Sequence, residues 1–96
     1  MSVPAANPER IGRMRALLDA AFKPESLEVT DDSHKHVGHA GARDGLGHFS
    51  VDIVSPAFAG LLPLARHRAV YAALGQMMVT DIHALAIRAR TPDEVA

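Results

Sequence analysis

Six histidines stand out in a chain of 96 residues that contains no cysteine. Three of them, His34, His36 and His39, fall within six residues, among Gly38, Gly41, Gly45 and Gly47. Neutral imidazole is a common ligand for zinc, copper, iron and nickel. Glycine lets a loop approach a ligand closely. The triplet therefore reads either as metal ligands on a pliable loop or as a solvated loop rich in histidine. Its spacing, His-x-His-x-x-His, carries no more than a compositional hint of metal binding. His83 differs, because it interrupts the apolar run Ile82 to Ile87. It is either a packed imidazole bonded to backbone or a ligand held on rigid backbone at a strand end, where accurate sites are best built. His67 falls on the apolar stripe of a helix and reads as a packed core histidine. His48 opens a strand, where it caps a hairpin or faces a partner. Arg66 and Arg68 flank His67 and read as solvated. With Arg88 and Arg90 they form either a basic patch for an acidic partner or nucleic acid, or ordinary surface charge.

Other chemistries are excluded more firmly. Without cysteine there is no disulfide, no thiol catalysis and no iron–sulfur cluster held by the chain's own thiolates. Ten Lys and Arg against eleven Asp and Glu leave a net charge of −1, which gives bulk charge no role in nucleic-acid binding. No Gly-x-x-x-x-Gly-Lys-Ser/Thr loop and no Gly-x-Ser-x-Gly elbow occurs. Asp31 and Asp32 are strand neighbours that point to opposite faces, a poor acid–base pair. No nucleophile, base and orienting group come together, so an enzyme is not expected. The start, MSVPAANPER, has no basic region leading into an apolar stretch, so a bacterial-type cytoplasmic location is expected. Apolar runs fall far short of the ~20 residues that span a bilayer, so no membrane association is expected.

The elements that must position these residues follow from pattern. Asn7-Pro8-Glu9 opens a helix over 8–22, with Ile11, Met14, Leu17, Leu18, Ala21 and Phe22 at helical spacing. Pro24 ends it. Residues 26–32 alternate as a strand, and so do residues 48–55, with Phe49, Val51 and Ile53 on one face. The long polar loop between them makes an antiparallel hairpin whose tip carries the histidine triplet. A helix is expected over 63–78, with Leu64, His67, Val70, Tyr71, Leu74, Met77 and Met78 on one broad stripe. The run 82–88 is nearly all apolar and suits a strand covered on both faces. The order αββαβ predicts a small α/β (α+β) domain over 8–92, with a three-stranded mixed sheet and helices on one face. Residues 1–7 and 93–96 are expected as tails.

These residues, taken together, resemble a known family. Leu27-Glu28-Val29-Thr30-Asp31-Asp32-Ser33-His34, His36-x-Gly38-His39, Gly47-His48-Phe49-Ser50-Val51, Phe58-x-Gly60, Arg66-His67-Arg68-x-Val70-Tyr71 and Ile82-His83-Ala84-Leu85-x-Ile87-x-Ala89-x-Thr91-Pro92 are similar, in register, to the BolA family from about residue 10 to 92. The resemblance implies an αββαβ fold like a class II KH domain. It implies a heterodimer with a monothiol glutaredoxin of the Cys-Gly-Phe-Ser type, bridged by a 2Fe-2S cluster. The glutaredoxin and a bound glutathione would supply thiolates; this chain would supply His83 and a loop histidine that aligns with His36, or alternatively His39. The implied role is iron–sulfur cluster trafficking and iron homeostasis. Some members are instead described as DNA-binding regulators of transcription, morphology and stress response, for which Arg66, Arg68 and Arg88 are the tentative contacts. The isolated chain is expected to be a monomer or weak homodimer.

The chemistry fits a shared site. A 2Fe-2S cluster needs four ligands, commonly thiolates. Two histidines supply at most half, so the rest must come from another molecule. Imidazoles in place of thiolates raise the reduction potential, and their protonation near pH 6.5 weakens ligation in acid. For the nucleic-acid alternative, KH domains clamp their ligand with a Gly-x-x-Gly loop. Gly60-Leu61-Leu62-Pro63 stands here instead.

Overall fold

The computed structural model describes residues 7–33 and 46–96. Helix α1, Asn7–Phe22, opens with proline in its first turn and buries Met14 and Leu18, four residues apart on one face. Ile11 and Phe22 extend that face at its ends. Lys23 takes the left-handed conformation, φ 45°, and its N–H donates to the Asp19 carbonyl at 3.0 Å. The helix is thereby closed just ahead of Pro24.

Strand β1, Ser26–Asp31, pairs antiparallel with β2, Gly47–Val54, in a register running from Ser26 opposite Val54 to Asp31 opposite Phe49. The alternation does what the sequence dictates. Val29, Phe49, Val51 and Ile53 enter the core, while Glu28, Thr30, Ser50 and Asp52 line the other face. A 3-10 turn, Pro56–Phe58, follows. The Ser55 hydroxyl accepts from the Ala57 N–H at 3.0 Å and donates to the Phe22 carbonyl at 2.7 Å. It thus ties the turn to the end of α1, where the Phe22 and Phe58 rings meet at 4.9 Å.

Helix α2, Pro63–Leu74, is shorter than the 63–78 expected. Gly75 at φ 55° ends it, and a separate turn α3, Met77–Thr80, follows. The broad apolar stripe is also narrower than expected. Val70, Leu74 and Met77 are buried, but Leu64 and Tyr71 face outward. A helix on one side of a small sheet has only one face to bury.

Strand β3, Ile82–Arg90, runs parallel to β2 and completes the sheet in the order β1-β2-β3. It is an edge strand with one covered face, not a strand buried on both sides. Leu85, Ile87 and Ala89 pack on the core, while Ala84, Ala86 and Arg88 are exposed. Alanine fits either surface, so the apolar run did not reveal which side was open. The short helix α4, Pro92–Val95, closes with a capping box between Thr91 and Glu94. The result is the expected mixed three-stranded sheet, an α+β fold with α1 and α2 over one face.

Candidate metal-ligand site at one end of the sheet

Topology gathers the candidate residues. β1 runs toward one end of the sheet, and β2 and β3 both start there, because they are parallel to each other and antiparallel to β1. The two roots of the histidine loop and the first residues of β3 therefore share that end. His34, His36 and His39 themselves lie outside the described residues. His83 lies within them and is exposed.

The strand pairing also explains why His83 is presented. Gly47 is opposite Ile82, but His48 is opposite Ala84. One residue of β3, His83, is extra at that step. Such a bulge re-aims a side chain at the rim of a sheet. Asp81, just upstream, accepts the Gly47 N–H on its carbonyl at 2.9 Å. The starts of the two strands are thus locked together on either side of the bulge.

His48 is the residue that the sequence left undistinguished, and it proves central. The residue is only 8% exposed although it stands on the polar face of β2. Its ring lies 5.0 Å from that of His83, centroid to centroid, at 45°. Its backbone holds both roots of the loop. The Asp32 N–H donates to the His48 carbonyl at 2.7 Å, and the His48 N–H donates to the Ser33 hydroxyl at 3.0 Å. Ser33 is steadied by the Asp31 carboxylate, which accepts its N–H at 2.8 Å. The alternation of β2 places His48 on the outward face, and there the bulge brings a second ring against it.

A second feature had no signal in the sequence. The buried Asp81 carboxylate accepts from Arg10 Nε at 3.1 Å, Arg13 Nη1 at 3.3 Å and Thr80 Oγ1 at 2.5 Å. Arg10 is 71 positions away in the chain. Burial pushes the Asp81 pKa up, but hydrogen bonds from Thr80 and Arg10 and the charges of Arg13 and Arg10 outweigh it and hold the carboxyl below its usual range. This cluster fastens α1 to the residues that lead into His83.

The arginines separate. Arg66 was expected in solvent, but its guanidinium is occupied within the chain. It donates to the Leu61 carbonyl at 2.8 Å, to the Ala89 carbonyl at 3.1 Å and to both Glu94 carboxylate oxygens. Arg68 is exposed on α2, over the covered face of the sheet, whereas Arg88 is exposed on the open face. Arg90 pairs with Asp52 at 3.1 Å. The fold thus divides these side chains rather than assembling them. His67 is half-buried on α2. Among the described residues, no three His, Asp or Glu side chains gather in a metal-holding group. What the end of the sheet offers is an accessible imidazole, a second imidazole beside it, and the anchored roots of a loop rich in further ones.

Comparisons with known proteins agree with this architecture. A family model described as BolA-like protein matches residues 18–94. The chain is 42% identical over 88 residues to "Protein BOLA1, chloroplastic" of Arabidopsis thaliana, covering 88% of this chain and 55% of that one. It is 42% identical over 82 residues to "DNA-binding transcriptional regulator BolA" of Escherichia coli (strain K12), covering 85% of this chain and 75% of that one. Among solved structures, the BolA domain of SufE1 from Arabidopsis thaliana superposes with a TM-score of 0.79 at 40% identity, covering 88% of this chain and 94% of that one. The chain spans only about half the length of some curated relatives, among them Arabidopsis BOLA1. The matched residues take in α2, β3 with its bulged histidine and both strands that root the loop, and the chain belongs to the BolA-like family.

Proposed function

We propose that this chain is an adaptor that docks on a monothiol glutaredoxin and contributes imidazole ligands to a shared 2Fe-2S cluster, as cargo passed between proteins. The observation that carries this reading is the exposed His83, presented by a strand bulge at the sheet end where the histidine loop is rooted. The donor set fits the chemistry. The chain has no cysteine, so thiolates must come in trans, from the glutaredoxin and its glutathione. His83 supplies one ligand from a rigid strand, and His36, or alternatively His39, supplies a second from the loop. A ligand on rigid backbone and another on a loop suit a site that forms on docking and can open again. The protein's work in this reading is binding and handing over, not catalysis.

The test is reconstitution. The chain is mixed with a monothiol glutaredoxin, glutathione, iron and sulfide, and visible absorption and circular dichroism are recorded. The expected result is a charge-transfer spectrum different from that of the glutaredoxin homodimer and altered in His83→Ala. Spectra identical with and without the chain would overturn the reading.

A second reading follows from the Escherichia coli relative named as a DNA-binding transcriptional regulator. It requires DNA affinity that falls steeply with salt and is lost when Arg68 and Arg88 are replaced. The engagement of Arg66 within the chain and the placement of Arg68 and Arg88 on opposite sides of the sheet make it the weaker reading.

A further inference from the structure

The His48–His83 pair has a geometry of its own. Two imidazoles bound to one metal ion at ~2.1 Å hold their ring centroids roughly 5 Å apart. The two rings already stand at 5.0 Å, tilted by 45°. Their separation already matches that of two ligands to one ion. Beside His48 is a hollow of about 260 Å³ whose other walls are Asp32, Phe49, Ala84, Leu85 and Ala86. Ala84, opposite His48 in the register, offers no side chain long enough to cover it. Asp32, whose carboxylate accepts from the Ser50 hydroxyl, places a negative charge on the wall of the hollow.

We propose that His48 and His83 form a seat for one borderline divalent cation of the zinc type in the free chain, with water completing the coordination. Imidazole nitrogens select such ions over magnesium and calcium. His48 is the rigid member, because its backbone is pinned to Asp32 and Ser33. His83 is the accessible member, on the bulge. This seat needs no partner chain, no thiolate and no loop histidine. Its success or failure is therefore independent of the shared-cluster reading.

The experiment titrates untagged full-length chain with Zn²⁺ alone, by calorimetry, and follows the imidazole nitrogens by long-range ¹H–¹⁵N correlation. The expected result is one site retained when His34, His36 and His39 are all replaced by alanine. It should weaken roughly tenfold or more in His83→Ala and in His48→Phe, which keeps the ring volume and removes the nitrogens. In the unaltered chain, ring nitrogens of His48 and His83 should shift in the same saturation step, a readout that does not depend on any variant folding. Three results would each overturn the proposal: affinity unchanged in His48→Phe, all binding lost in the triple loop variant, or a His83 shift without a His48 shift.

Discussion

Gly47 stands where no side chain fits. A Cβ added there would run into the Phe49 ring and come within 3.3 Å of the Ser33 hydroxyl. Phe49 is a core residue, 1% exposed, and cannot move aside cheaply. Gly47→Ala should therefore cost about 1–3 kcal/mol, the range for overpacking, measured by chemical denaturation. It should also displace His48, the next residue. The contact between the His48 and His83 rings, read as a nuclear Overhauser effect, should weaken in this variant. An unchanged midpoint and an unchanged ring contact would remove Gly47 from the account of the site. The motif Gly47-His48-Phe49 was visible in the sequence, but its sense was not. It joins a backbone without room, an imidazole at the rim and a ring in the core.

Ion pairs between elements fix how the sheet end meets the helices. Asp81 joins α1 to the start of β3 through Arg10 and Arg13. Its carboxyl is held below the usual carboxylate pKa of 3.8 in the folded chain. A depressed carboxyl contributes stability above its unfolded pKa and loses it as pH falls through the folded value. Asp81→Asn should thus destabilise the chain at neutral pH and do so progressively less below about pH 4. Asp81→Ala should cost roughly 3 kcal/mol at neutral pH, since it strips a partner from the buried Arg10. Denaturant midpoints across pH for the unaltered chain and both variants provide the check. Glu94 repeats the pattern at the other end of β3. A hydrogen bond from Arg66, together with the Thr91 N–H, lowers its pKa from 4.5 to about 2. Because Glu94 is exposed, the gain is small. Glu94→Gln should lower the melting temperature slightly at neutral pH. The difference should fade as pH falls from 4.5 toward about 2. A difference that stays constant over that range would exclude the pair.

Across the whole molecule, one core joins the sheet to α1 and α2. Met14 and Leu18 from α1, Val51 and Ile53 from β2, Val70 and Leu74 from α2, and Phe58 from the connecting turn are all nearly inaccessible to solvent. Phe58 packs against Phe22 and is 0% exposed. Phe58→Ala should cost about 3–5 kcal/mol. A domain of this size has only about 5–15 kcal/mol in reserve, so a large fall in melting temperature is expected. A small fall would mean that the turn is not part of the core.

Much of this protein was legible without coordinates. Helix α1 and the two hairpin strands declared themselves through residue spacing and proline, because an element that buries one face must repeat its apolar residues at its own period. The lack of cysteine leaves the chain no thiolate of its own to offer a metal, and the family motifs single out His83. Tertiary structure alone decided the rest. Alanine in β3 and the leucines of α2 are compatible with either side of a surface, so which face lies open depended on what packs against them. The burial of His48, the bulge that extrudes His83 and the joining of Arg10 to Asp81 across 71 positions all arise from register and packing between distant segments. Local propensity carries no trace of contacts that exist only after the chain has closed.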